Sequence, residues 1–177
     1  MYKGEKVILR AYEKADINLA HELFNGLELQ KLLNSGLILP LSYEEEESFI
    51  LGAAKNKSTE YNFAIESIDD QKYIGGCGYF KYRPKDGTTW IGIAVADETY
   101  WGKGFGFDAT KVLIRFLFNE LNIRKVTLGV FSYNERAIKC YRKLGFEEEG
   151  RLKENFFRDG KYHDEIIMSL FRANYKN

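Results

Sequence analysis

A glycine-rich loop joins an apolar run to the start of a helical pattern, and its residue types suit phosphate binding. The loop consists of Trp101, Gly102, Lys103, Gly104, Phe105 and Gly106. The run before it contains Ile93, Ala94 and Val95, and apolar residues at helical spacing after it are Ala109, Val112, Leu113, Phe116 and Leu117. Unpaired N–H groups at the start of a helix, beside residues without a Cβ, let phosphate oxygens approach. The stretch therefore predicts a cradle for a pyrophosphate group.

The glycine spacing alone does not separate a phosphate site from an ordinary connection. It is not the Walker pattern, because no Gly-Lys-Ser/Thr sequence follows, and it lacks the G-x-G-x-x-G spacing of dinucleotide-binding proteins. A loop that merely links a strand to a helix stays open as an alternative at this point.

A second set of residues follows downstream at fixed spacing. It comprises Asn134, Ala137, Tyr141, Gly145 and Phe146. Together with the glycine loop and the strand before it, this set resembles the GNAT family of acetyl-CoA-dependent N-acetyltransferases, whose order of elements matches nearly the whole chain. The loop and the ending from Gly150 to Asp164 are most similar to RimJ/RimL-type ribosomal-protein N-terminal acetyltransferases and their spermidine N-acetyltransferase relatives.

The resemblance implies how acetyl-CoA is held. Backbone N–H groups of residues 101–106 are expected to bind its pyrophosphate, with Trp101 standing where the family has Arg or Gln. Lys103 either adds charge near the phosphates or is a solvated loop lysine. The strand Ile93–Val95 is expected to diverge from its neighbour near a β-bulge and pair with the pantetheine arm, with the Val95 N–H as oxyanion donor. Asn134 either contacts the pantetheine portion or is simply a polar residue of a first helical turn.

Tyr141 is the expected general acid. Coenzyme A leaves as a thiolate whose pKa resembles that of cysteine, ~8.5, and a phenol of pKa ~10 placed at the sulfur can protonate it. The alternative is core packing, because Ala137, Tyr141 and Leu144 share one helical face. Cys140 is expected to be a buried thiol and not a nucleophile, since direct attack by the amine needs no covalent enzyme intermediate.

The sequence offers several candidates for the general base. Some members of the family have a glutamate at the position that is Gly129 here, and RimL-like proteins often have one where this chain has Trp90, so neither base is present. Glu98, just after the cofactor strand, is the expected base. Asp97, His163 and a water-mediated route are its competitors.

The composition is that of a globular protein, and we expect one domain over residues 1–177. Apolar residues make up 45% of the chain and charged residues 29%. Acidic and basic residues balance at 26 each, so we expect no nucleic-acid partner. No apolar run approaches ~20 residues, no secretory leader is evident, and the cysteines are too few for a disulfide framework, so we expect a cytoplasmic protein with no membrane span and no metal site.

The periodicity predicts the elements that position these residues. Their order is β-α-α-β-β-β-α-β-α-β-β, an α/β (α+β) arrangement with a central mixed, mostly antiparallel sheet of six to seven strands and about four helices. Asp16 is a plausible N-cap of the first helix, which ends at Asn25-Gly26 or at Asn34–Gly36. Capping boxes at Ser42/Glu45 and Ser132/Glu135 predict further helix starts, the first of these helices running to about Ala54.

We therefore expect an N-acetyltransferase that uses acetyl-CoA and acts on a primary amine by direct attack in a ternary complex. The acceptor can be a protein N-terminus, a polyamine or an amino sugar, and no signature distinguishes them. Aromatic residues that could line the acceptor pocket are Tyr79, Tyr82, Trp90 and Phe131. The alternative is a non-catalytic module that senses acetyl-CoA. An exposed edge of the C-terminal hairpin makes a homodimer possible.

Overall fold

The computed structural model describes residues 1–53 and 59–175. Its strands are β1 (Tyr2–Lys3), β2 (Val7–Arg10), β3 (Tyr61–Ser67), β4 (Tyr73–Arg83), β5 (Thr88–Val95), β6 (Lys125–Phe131), β7 (Glu147–Arg158) and β8 (Lys161–Phe171). Its α-helices are α1 (Ile17–Phe24), α2 (Leu27–Leu33), α3 (Tyr43–Ala53), α4 (Phe105–Asn119) and α5 (Glu135–Lys143). None of the described helices combines the length and apolar character that a membrane crossing requires.

The strands form one 8-stranded sheet in the order β1-β2-β3-β4-β5-β6-β8-β7. All neighbouring pairs are antiparallel except β5 and β6, which run parallel, so the predicted mixed and mostly antiparallel sheet is confirmed. The short strand β1 was not predicted, because its two residues are too few to show a period. Strand β7 forms an outer edge of the sheet, as expected of the C-terminal hairpin.

The first predicted helix is two helices. Asn25 ends α1, and Gly26 turns the chain with extended backbone angles before α2 begins at Leu27. The Asn25 side chain accepts a hydrogen bond from the Leu41 N–H at 2.8 Å and so holds this corner. Both candidate endpoints in the sequence are therefore real, one for each helix.

The predicted caps are partly right. Ser42 and Glu45 form the expected box, with N–H to side-chain distances of 2.9 and 3.2 Å. Asp16 does not cap α1 with its side chain, because its carboxylate is paired with Arg10 at 2.8 Å. The end of α3 expected near Ala54 lies outside the described residues.

The predicted Ser132/Glu135 box is wrong. A turn in which the Asn134 N–H donates to the Phe131 carbonyl at 2.8 Å carries the chain past Ser132 before the helix starts. Asn134 is therefore the N-cap of α5, and its Oδ1 accepts from the Ala137 N–H at 3.2 Å.

The start of α4 is fixed by core packing and by one buried carboxylate. The apolar face of α4 packs on the sheet through fully buried residues such as Leu113 and Leu117. Asp108 in its first turn accepts hydrogen bonds from the N–H groups of Lys6 and Val7, at 2.7 and 3.1 Å. The helix N-terminus therefore has a set position relative to β2 and the rest of the sheet.

Strands β5 and β6 part in the middle of the sheet. They pair only from Thr88 opposite Lys125 to Trp90 opposite Thr127, although both strands continue beyond these residues. The divergence expected at Ile93–Val95 is present. Directly after Val95, the N–H groups of Ala96 and Asp97 both donate to the Ile74 carbonyl, at 2.7 and 3.3 Å, which is the hydrogen-bond pattern of a β-bulge.

Candidate active site

A cleft of about 730 Å³ occupies the gap between β5 and β6. One end lies against the glycine loop and α5, and the other lies between α2, the β4–β5 hairpin and β8. The expected site residues that line it are Ile93, Ala94, Val95, Trp101, Gly102, Gly104, Gly106, Asn134 and Tyr141.

The glycine loop presents backbone N–H groups at one end of the cleft. Gly102 and Gly104 have φ angles of 74° and 90°, in the left-handed region that glycine adopts without strain. Gly104 is the N-cap of α4, and the first hydrogen bond of the helix runs from the Asp108 N–H to its carbonyl at 3.0 Å. The N–H groups of residues 105–107 therefore have no intrahelical partner, which is the arrangement that binds anions.

The two remaining loop residues contribute little side-chain surface to the cleft. Phe105 is buried, and its ring lies edge-to-face with Tyr100 at 4.8 Å between centroids. Lys103 is exposed and is not among the residues found to line the cleft. Phe105 thus anchors the loop to the core.

Trp101 fixes the end of β5. Its indole Nε1 donates a hydrogen bond to the Val95 carbonyl at 2.7 Å. The Arg136 guanidinium lies 4.0 Å from the centroid of the same indole ring. A tryptophan at this position therefore bridges the cofactor strand and a cation of α5.

The backbone of Val95 faces the gap. The Ala96 N–H donates to the Ile74 carbonyl at 2.7 Å, so the backbone of Ala96 points toward β4. Because backbone groups alternate in direction along a strand, those of Val95 and Ile93 point the other way, toward β6. Strand pairing with β6 has already ended there, so the Val95 N–H is directed into the cleft.

Helix α5 supplies a row of cations that sequence reasoning missed. Arg136, Lys139 and Lys143 line the cleft beyond the cap residue Asn134. Burial lowers the pKa of Arg136, with Glu98 acting in the opposite direction. This row could have been predicted from the sequence, since residues three and four positions apart share one helical face.

Tyr141 lies in the cleft wall with its ring packed near Phe146, 5.8 Å between centroids. Burial raises the pKa of its phenol, so the hydroxyl is protonated at neutral pH. In the described part of the chain this hydroxyl makes no hydrogen bond, which leaves its proton available to a ligand. Burial also raises the pKa of the neighbouring Cys140 thiol to about 11, which disfavours the thiolate that a nucleophile would need.

The structure does not bring the expected base candidates into the cleft. Glu98 is exposed, and its carboxylate lies beside Gly26, between α1 and α2. Asp97 is paired with Lys72 at 2.8 Å. The ring of His163 stacks on Phe156, with its Nε2 3.2 Å from the Arg158 carbonyl.

The far end of the cleft is aromatic and aliphatic. Trp90 and Phe131 line it as expected, whereas Tyr79 is buried in the core with Tyr82 packed against it. Other lining residues of this end are Leu29, Leu32, Leu33, Phe80, Lys81 and Glu165.

Comparison with known proteins identifies the family. Residues 6–147 match the family model described as an acetyltransferase (GNAT) domain. The chain belongs to the GNAT family. A solved GNAT structure, that of spermidine N-acetyltransferase from Vibrio cholerae in complex with CoA and spermine, superposes with a TM-score of 0.83 at 28% identity, covering 97% of this chain and 98% of that one.

Two sequence relatives agree with this assignment. The SPbeta prophage-derived uncharacterized N-acetyltransferase YokL of Bacillus subtilis strain 168 is 32% identical, over 99% of this chain and 95% of its own length. Spermidine N(1)-acetyltransferase of Escherichia coli strain K12 is 30% identical, over 99% and 91%. This GNAT protein is therefore an N-acetyltransferase that uses acetyl-CoA to acetylate an amine. The non-catalytic alternative is not favoured.

Proposed function

We propose that this N-acetyltransferase acts on a primary amine that carries one positive charge next to an apolar group. A protein or peptide N-terminus with an apolar first side chain is the biological form that fits this description. The observation that carries the proposal is the charge of the end of the cleft opposite the glycine loop, which contains Trp90 and Phe131 and is called the acceptor end below. Glu165 is the one acid found among the described residues that line the cleft.

A polyamine is a poorer match to these residues. The relatives from E. coli and V. cholerae are named for spermidine, and the V. cholerae protein was crystallised with spermine. Each further ammonium group of such a substrate loses water on entering the cleft and needs an acceptor there. In this chain the end opposite the glycine loop instead carries Lys81, whose Nζ lies 4.8 Å from the centroid of the Trp90 ring.

The cofactor end supports the following assignment of roles. The N–H groups of the glycine loop bind the pyrophosphate of acetyl-CoA, and the cations of α5 add positive charge beside it. The pantetheine arm follows the unpaired edge of β5 past Asn134. The Val95 N–H stabilises the developing oxyanion, and Tyr141 gives a proton to the leaving sulfur.

An amine panel tests the acceptor class. Release of coenzyme A is followed with a thiol reagent for spermidine, glucosamine, hexylamine and a short peptide with a free N-terminus and leucine first. We expect kcat/KM for hexylamine or the peptide to exceed that for spermidine by about tenfold or more, since a second buried charge without a partner costs at least ~1.4 kcal/mol. A preference for spermidine would overturn the proposed acceptor.

A further inference from the structure

Gly129 on β6 leaves room for a carboxylate from the neighbouring strand. In the antiparallel pair β6–β8, Phe131 lies opposite Glu165 and Gly129 lies opposite Ile167. Because side chains alternate between faces, Gly129, Phe131 and Glu165 share one face of the sheet. That face includes Trp90 and therefore belongs to the acceptor end of the cleft.

The Glu165 carboxylate occupies the space that a side chain on Gly129 would need. An ideal Cβ built on Gly129 would stand 2.5 Å from Glu165 Oε1 and 3.5 Å from its Cδ. In this chain the residue on β6 is missing its side chain, and the carboxylate comes instead from β8.

The Glu165 carboxylate is held in place by a hydrogen bond but has no ion-pair partner among the described residues. Asn155 Nδ2 donates to Glu165 Oε2 at 2.8 Å, which leaves Oε1 directed over Gly129. Among residues 1–53 and 59–175, no lysine or arginine forms an ion pair with Glu165. A half-buried carboxylate with one free oxygen, in the wall of a mostly apolar end of the cleft whose other described charged side chain is Lys81, suits an ammonium ligand.

We propose that Glu165 is the group that takes the proton of the acceptor ammonium. This inference rests on the proposed function, because it assigns the one charged partner of a singly charged acceptor. The ammonium nitrogen gives one proton to Glu165 Oε1, and its freed lone pair forms the C–N bond at the thioester carbonyl carbon. The C–S bond breaks, its electron pair leaves on sulfur, and sulfur takes the phenolic proton of Tyr141.

The protons then balance. Tyr141 recovers a proton from the new amide nitrogen, and Glu165 releases its proton to water. One proton leaves for each acetyl group transferred. Glu98, the base expected from the sequence, lies outside the cleft and is the rival in the test below.

The test compares Glu165→Gln with Glu98→Gln and with Glu120→Gln, an exposed carboxylate at the end of α4 that serves as matched control. Glutamine keeps the acceptor for Asn155, so the fold is retained. We expect Glu165→Gln to lower kcat/KM about 100-fold or more at pH 7. The loss of activity should shrink by at least about tenfold toward pH 9.5, because the amine, whether an alkylammonium of pKa ~10 or a peptide α-ammonium of pKa ~8, then loses its proton to solvent.

A second set of variants tests whether the position of the carboxylate matters. Gly129→Ala should lower activity by pushing the Glu165 carboxylate aside. Gly129→Glu combined with Glu165→Ala should recover at least about tenfold over Glu165→Ala alone, since the carboxylate then enters the same space from β6. Coenzyme A affinity should stay within about twofold of wild type in all of these variants.

Three results would overturn the inference: a pH-independent loss in Glu165→Gln, a loss below about threefold, or a pH-dependent loss in Glu98→Gln instead. The assays use whichever amine of the panel has the highest kcat/KM. The role of Glu165 can therefore be refuted while the proposed class of amine substrate stands. A preference for spermidine, in turn, would leave the pH test of Glu165 unaffected.

Discussion

Replacing Trp101 with phenylalanine tests how the oxyanion donor is held. The change removes the indole N–H that binds the Val95 carbonyl at 2.7 Å and keeps an aromatic ring beside Arg136. A hydrogen bond of this kind contributes about 1 kcal/mol to the free energy of unfolding. Its loss costs somewhat more when the carbonyl oxygen is left buried without a partner. Val95 is half-buried, so the lower figure applies. For a chain of 177 residues this corresponds to a fall in Tm of about 2–4 °C.

The effect on turnover follows from the same contact. A well-placed oxyanion donor stabilises the transition state by ~2.7–4 kcal/mol. Greater mobility of the Val95 backbone should remove about a third to a half of that stabilisation. Since ~1.4 kcal/mol is tenfold in rate, we expect kcat to fall about tenfold in the thiol-release assay. Trp90→Phe, the same change at the acceptor end, should leave the dissociation constant of coenzyme A unaltered. A Trp101→Phe variant with wild-type kcat and Tm would refute the reasoning.

Two further predictions concern buried ionisable groups. Tyr141→Phe should reduce kcat about 10²–10³-fold with coenzyme A affinity within about twofold, measured by thiol release and calorimetry; undiminished turnover would remove Tyr141 from the mechanism. Burial raises the pKa of Glu46, opposed by His21, so its contribution to folding is fully present below the unfolded pKa and is lost as pH rises through the folded one. Glu46→Gln should therefore raise Tm at pH 7 and bring little gain near pH 4 in thermal-shift measurements, and an equal gain at both pH values would contradict this.

The glycine loop and Tyr141 could be found from the sequence because their signals are local. A strand, a glycine turn and a helical period follow one another without interruption from Ile93 to Leu117, and each is read within a short window. Tyr141 lies one helical turn beyond Ala137 on a face that points into the cleft. Residues of this kind need only their own helix or strand to be placed correctly.

The surroundings of Glu165 could not be found in that way. Its position over Gly129 depends on the pairing of β6 with β8, whose partners are more than 30 residues apart in the chain. No local pattern reports that register. The Ser132/Glu135 box failed for a related reason, because a turn fixed by the Phe131 carbonyl shifts the helix start to Asn134 and Glu135.

A crystal structure of the protein with coenzyme A tests the central claim most directly. The account predicts that the pyrophosphate accepts hydrogen bonds from N–H groups within residues 102–107, that the pantetheine arm lies between β5 and β6, and that the sulfur lies within hydrogen-bond distance of the Tyr141 hydroxyl. A coenzyme A bound elsewhere, or a sulfur remote from Tyr141, would contradict it.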